Sequence, residues 1–169
     1  MPRAESAGAV RPLTAGERAI CALVFGDALD PRPVTVRHRT WAFFQPPSVT
    51  MAPDGHLWFH PRGGRFSWDF AREPPARQHL FVHEMVHVWQ HQQGWFLPLR
   101  RHPFCRYSYT LRPGRPFHRY GIEQQAEIVA DAWVAFLGAP RPGRPPLAEL
   151  ARLIPFWRAG SVPAPGLSI

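Results

Sequence analysis

A chain of 169 residues that is 45% hydrophobic, with seven Trp and twelve Phe, can bury the core of one domain without disulfide staples. All 20 basic residues are Arg, and the net charge of +8 favours anionic partners, yet no nucleic-acid module interleaves basic and aromatic residues, so nucleic acid is not an expected partner. No stretch is long and apolar enough to span a membrane and no signal-peptide core opens the chain, so synthesis and folding in the cytoplasm are expected, with any export by a route that needs no signal peptide.

Residues 1–12 read as a disordered N-terminus, residues 13–158 as a single domain and residues 159–169 as a loose tail. Thr14-Ala15-Gly16-Glu17 offers a capping box, and a helix is predicted over 15–29 with Ile20, Leu23, Val24 and Phe25 on its apolar face. Alternation over 34–38 predicts a strand, and 41–44 a second short one. Residues 49–52 and 56–60 flank the turn Pro53-Asp54-Gly55 and read as a β-hairpin. Pro74-Pro75 fits the start of a helix over 76–93 that stops at Gly94. Residues 96–116 read as a long surface loop with an extended piece near 107–111. A helix over 122–137 ends at Gly138, 139–146 is a stiff Pro-rich linker, and a last helix covers 147–157. The two cysteines, Cys21 and Cys105, stand in no metal-type pair and read as free or buried thiols.

Chemistry concentrates in the helix over 76–93. His83-Glu84-Met85-Val86-His87 is an HExxH pattern, and two histidines four apart lie about 40° from each other around a helix, at a spacing one tetrahedral zinc ion can bridge. Glu84 can reach an activated water without being a ligand. Leu80, Phe81, Val82, Met85, Val86, Val88 and Trp89 make the helix apolar nearly all round, so it should be buried and its polar groups need compensation, which a metal ion supplies. His91, one turn beyond His87, is expected to be a hydrogen-bonding or surface residue.

A catalytic zinc keeps three protein ligands, so a third must come from elsewhere. Glu123, Glu127 and Asp131 follow at four-residue spacing on one face of an otherwise apolar helix, and their mutual repulsion calls for a cation or histidines. Either Glu123 or Glu127 can serve as ligand. With Glu123, Glu127 becomes the acceptor for a ligand histidine's other N–H; with Glu127, Asp131 stands behind it.

The pair of helices resembles the zincin superfamily, specifically the gluzincins, in which a Glu of a later helix, within ExxA followed by an acid or amide, completes HExxH. Glu123-Gln124-Gln125-Ala126-Glu127 and Glu127-Ile128-Val129-Ala130-Asp131 both fit that pattern, and the small residue Ala130 one turn further on favours Glu123. The resemblance implies an α+β zincin-like fold: a small antiparallel sheet packed on the central HExxH helix and a second ligand helix. It also implies that a peptide substrate adds as a strand to a sheet edge, assigned to residues 56–60. The segments LTAGERAICALVFGDALD, PDGHLWFHP, FVHEMVHVWQ and IEQQAEIVADAW, in this order, resemble the bacterial Vgr-related proteins linked to type VI secretion. That resemblance implies a secretion-associated effector or accessory protein with a type VI component as partner.

The expected activity is zinc-dependent hydrolysis of peptide or amide bonds in a peptide or protein substrate. Zn²⁺ is held by His83, His87 and Glu123, and Glu84 is the general base. Tyr120 is the candidate donor to the oxyanion, with Tyr107, Tyr109 and His118 as alternatives. The rival reading is a non-catalytic zincin scaffold that docks a secretion partner or an anionic cell-wall polymer through its Arg-rich surface.

Overall fold

The computed structural model describes residues 7–95 and 107–159, and its first element falls in the stretch that reads as disordered. β1 (Val10–Pro12) pairs antiparallel with β2 (Thr35–Arg37), Val10 opposite Arg37. What orders this strand is Arg11. Its guanidinium makes two 2.8 Å bonds to the two carboxylate oxygens of Glu17 and donates to the Ser67 carbonyl at 2.7 Å. Glu17 stands in the first turn of α1 (Ala15–Phe25) and closes the expected capping box: its amide donates to Thr14 Oγ1 at 3.1 Å, and its carboxylate accepts from the Thr14 amide at 2.9 Å. The same carboxylate accepts from the Phe70 amide at 2.9 Å. One fully buried charge therefore ties the N-terminal strand, the first helix and the approach to the central helix together.

α1 ends at Gly26, whose φ of 53° suits a residue without Cβ, and a 3₁₀ turn (Gly26–Ala28) replaces the last helical turn expected from the sequence. Residues 41–44 form turns instead of the expected strand. β3 (Thr50–Met51) and β4 (Leu57–Phe59) form the expected hairpin, with Thr50 opposite Phe59. The Asp54 side chain holds its turn by accepting from Trp58 Nε1 at 2.8 Å. The sheet order is β1-β2-β4-β3, and β2 runs parallel to β4, so the sheet is mixed where an antiparallel one is expected. The physical reason is a crossover. After β2 the chain turns through residues 41–47, forms β3 on the outside and returns as β4 in the middle, a path that parallel neighbours require. Residues 56–60, assigned to the sheet edge that takes substrate, are consequently internal, and the edge strands are β1 and β3.

Phe59, Phe70 and Phe81 stack in succession at 5.3 and 5.4 Å and fasten the sheet to α2 (Pro75–Gln92). α2 has Pro at its first position and is followed by Gly94 at φ 82°; every residue from Phe81 to Val88 is buried. α3 (Ile122–Phe136) packs along it and is buried continuously from Gln125 to Val134. Two polar bridges fix their register: Gln90 Nε2 donates to the Ile122 carbonyl at 3.1 Å, and Trp133 Nε1 donates to Gln78 Oε1 at 3.0 Å. The Pro-rich linker leads to α4 (Leu147–Leu153), shorter than the helix expected there, and Phe156 beyond it stacks on Phe25 and packs at a tilt against Trp89. The architecture is α+β, with a small mixed sheet and four α-helices among the described residues, none long and apolar enough to cross a membrane. Burial pushes the Cys21 thiol up to about 12, so it is an inert core group. Cys105, the loop residues 96–106 and the tail from 160 lie outside the described residues.

Removing one partner of a buried, multiply bonded ion pair strands the other charge. Glu17→Ala is expected to lower unfolding free energy by about 3–5 kcal/mol. Guanidinium denaturation checks this, and a midpoint equal to wild type would refute the central role of this carboxylate.

Candidate metal centre

Because α2 is buried all round, its polar residues have nowhere to go but into the seam with α3. His83 and His87, on successive turns, both aim Nε2 at the same atom, Glu123 Oε2, each at 3.1 Å. Glu123 sits in the first turn of α3, where the helix dipole favours a negative charge. All three residues are buried.

Each imidazole is held from behind. His83 Nδ1 donates to Glu127 Oε1 at 3.0 Å, and His87 Nδ1 donates to Gln90 Oε1 at 2.8 Å. The Gln90 amide is oriented by its own donations to the Ile122 carbonyl and to Gln125 Oε1. Both rings thus face their outer partners through Nδ1 and turn Nε2 inward, the orientation a metal ligand needs. Between the alternatives for Glu123 and Glu127, the structure brings Glu123 to the two Nε2 atoms and places Glu127 on the far side of His83. Burial works against charge on His83, yet hydrogen bonds to Glu123 and Glu127, with Glu84 nearby, push the imidazole up to about 10. Burial likewise opposes charge on Glu127, but His83 and Arg141 hold its carboxyl down to about 2.

The donor set fits a zinc ion. Three ligand atoms each about 2.0–2.2 Å from a tetrahedral metal stand a little over 3 Å apart. The separations of 3.1 Å from Glu123 Oε2 to both ring nitrogens match that spacing, and all three donors lie within 4.8 Å of one another. Glu84 adds a second observation: its Oε2 is buried and has no hydrogen-bond partner among the described residues. A stranded carboxylate oxygen of this kind carries a desolvation cost unless something outside the protein uses it.

Asp131 lies further out. It accepts from Tyr109 Oη at 2.7 Å and pairs with Arg144 at 3.2 Å and Arg141 at 3.0 Å. Arg141 Nη1 also lies 2.7 Å from Glu127 Oε2 and 2.7 Å from His79 Nε2, so a guanidinium nitrogen sits within the triad His79, Glu127 and Asp131. Sequence reasoning misses Gln90, Arg141, Arg144 and His79 entirely. The signal for Gln90 was its place one turn after His87 on an apolar helix; the linker arginines carry none.

A cleft of about 800 Å³ passes the centre, lined by Thr50, His83, Glu84, Tyr107, Glu127 and Arg141 among others. Tyr107 stacks on His83 with ring centroids 6.0 Å apart. Tyr120, the expected oxyanion donor, is placed elsewhere. It is buried, its hydroxyl accepts from the Arg112 amide at 3.0 Å, and the Arg115 guanidinium covers its ring. Tyr109 is occupied with Asp131, and burial with that carboxylate raises its phenol well above the usual range. His118 is exposed in a 3₁₀ turn, and His91 packs against Gly55, away from the centre.

No protein-family model matches the chain. The type VI secretion system spike protein VgrG2b of Pseudomonas aeruginosa is 39% identical over 133 residues, which cover 74% of this chain and only 13% of that protein. The solved structure of the effector domain of Pseudomonas aeruginosa VgrG2b superposes with a TM-score of 0.69 at 35% identity, covering 79% of this chain and 85% of that domain. At that identity and coverage of a single domain, the chain belongs to the family of the VgrG2b effector domain.

Proposed function

We propose that the chain is a zinc-dependent hydrolase of peptide or amide bonds, with a gluzincin-type centre, acting as an effector associated with type VI secretion. The observation that supports this most is the convergence of His83 Nε2 and His87 Nε2 on Glu123 Oε2, beside a buried Glu84 oxygen with no partner among the described residues. The association with secretion rests on the relation to the spike protein and its effector domain.

His83, His87 and Glu123 would hold the ion, while Glu127 and Gln90 fix the two rings. Bound zinc supplies Lewis acidity, which polarises a carbonyl and makes water a nucleophile near neutral pH. Glu84 lines the cleft without coordinating, so its carboxylate takes the proton of the attacking water and returns it to the leaving amine. Tyr107 is the tyrosine that lines the cleft and stacks on a ligand histidine, and it replaces Tyr120 as the candidate donor to the oxyanion. Of the two edge strands, β3 carries Thr50, which lines the cleft, giving an extended substrate a backbone edge to join. A docking scaffold has no use for a buried, unpartnered carboxylate at the Glu84 position, which weighs against the non-catalytic alternative.

Purified protein is expected to carry one equivalent of zinc by elemental analysis. His83→Ala, His87→Ala and Glu123→Ala should each lose it while staying folded. Glu127→Ala should keep it with an affinity weakened about 10–100-fold. Retention by Glu123→Ala with loss in Glu127→Ala would reverse their assignment. A second outcome concerns protons. His83 is raised above its ordinary 6.5 to about 10, so a metal ion binding at Nε2 competes with a proton in the neutral range. Zinc affinity should therefore rise with pH from 6 to 8, with proton release seen by calorimetry in buffers of different ionisation enthalpy. Glu84→Gln should retain full zinc and lose hydrolysis of a peptide library by at least about 10²-fold; an unchanged rate would remove Glu84 from the reaction.

A further inference from the structure

The cleft beside the centre has a cationic wall that the hydrolytic chemistry does not use. Arg65, Arg77 and Arg141 all line it, against the carboxylates of Glu84 and Glu127. Arg77 is committed, since Nη1 and Nη2 donate to the carbonyls of Gly64 and Phe66 at 3.1 and 3.0 Å. Arg141 differs. Its Nη1 alone faces Glu127, Asp131 and His79, while Nε and Nη2 make no hydrogen bond among the described residues and the side chain is 40% exposed. A guanidinium carries five N–H donors in a planar fork, and an edge left over from anchoring matches the two oxygens of a carboxylate. Anchoring at Nη1 removes most of the rotamer freedom that binding would otherwise cost. Arg65, exposed on the same wall, pairs with no carboxylate among the described residues.

Resting on the hydrolase reading above, we propose that the cleft selects substrates with a carboxylate side chain or terminus close to the scissile bond, which the outer edge of Arg141 binds with help from Arg65. Only the Glu127 carboxylate separates Arg141 from the ligand His83, so the acid lies within about two extended residues of the reacting carbonyl. Glu127 and Asp131 offset the Arg141 charge at Nη1, so the selection comes from the geometry of the outer fork edge and from Arg65 more than from net charge.

The test uses the zinc-loaded full chain and hydroxamate-capped peptides, whose cap binds zinc whatever the side chains. A single Glu or Gln is stepped through three positions on each side of the cap, and dissociation constants are measured by calorimetry at low salt. At one position within two residues of the cap, Glu should bind at least about tenfold tighter than Gln. That preference should shrink in 0.5 M salt and fall below about threefold in Arg141→Gln, with a smaller loss in Arg65→Gln. Should Arg141→Gln fail to fold, Arg141→Lys keeps the anchoring charge without the fork and should still lose most of the preference. Glu and Gln peptides that bind equally well at every position overturn the proposal while leaving the metal centre standing. A protein that takes up zinc yet binds none of the hydroxamates overturns the hydrolase reading, and the proposal with it.

Discussion

Two imidazole nitrogens and one carboxylate oxygen meet between two apolar helices, and the packing of α2 on α3 depends on what holds those three groups together. Leu, Ile or Val in their place would pack the seam at no electrostatic cost. Ionisable groups there are costly unless each hydrogen-bonding atom finds a partner. The chain supplies those partners from three directions: the next turn of α2 through Gln90, the second turn of α3 through Glu127, and the linker through Arg141. The inward Nε2 atoms face the Glu123 oxygen, and beside them Glu84 Oε2 has no partner among the described residues.

This support makes the centre sensitive to helix register. His83 is oriented across the seam by α3, whereas His87 is oriented by its own helix, through a glutamine that is itself bonded to the start of α3. Neighbouring residues on a helix point about 100° apart, so a slip of one residue between the helices would carry Glu123 and Glu127 away from both rings. The Gln90 to Ile122 and Gln78 to Trp133 bridges sit toward opposite ends of the seam and resist such a slip. The stack of Phe59, Phe70 and Phe81 then sets the distance from this seam to the sheet, and with it the width of the cleft.

Residues with a local rule behind them were legible in the sequence. The Thr14 to Glu17 capping box, the proline start of α2, the glycines after α2 and α3 and the turn at Asp54-Gly55 all follow from neighbouring residues. The spacing of HExxH and of the acidic stripe likewise points to His83, Glu84, His87 and Glu123. What escaped depends on distant partners. Val10–Pro12 is a strand because Arg11 finds a carboxylate and a carbonyl, one six residues on and one 56 residues on, and no local pattern announces that. The parallel pairing of β2 with β4 depends on the route of an irregular segment. Tyr120 follows the long loop in sequence, yet its hydroxyl turns back to Arg112, while Tyr107, at the other end of the described part of that loop, reaches His83.

The acidic stripe of α3 shows how far such reasoning carries. Glu123, Glu127 and Asp131 repel one another, and a metal ion is one remedy among several. The structure divides the remedy: Glu123 faces two histidines, Asp131 faces Arg141, Arg144, His79 and Tyr109, and Glu127 stands between the two sets. A carboxylate at four-residue spacing is therefore not in itself an argument for metal. His79, Glu127 and Asp131 have ligand-like spacing, but a guanidinium nitrogen already lies 2.7 to 3.0 Å from each of them and supplies the positive charge. At Glu123 the neighbours are imidazoles whose outer nitrogens are held by Glu127 and Gln90 and whose inner ones both face the same Glu123 oxygen. The two triads differ in what their carboxylates face: a guanidinium nitrogen sits within the outer one, whereas in the inner one two imidazole Nε2 atoms converge on a single carboxylate oxygen.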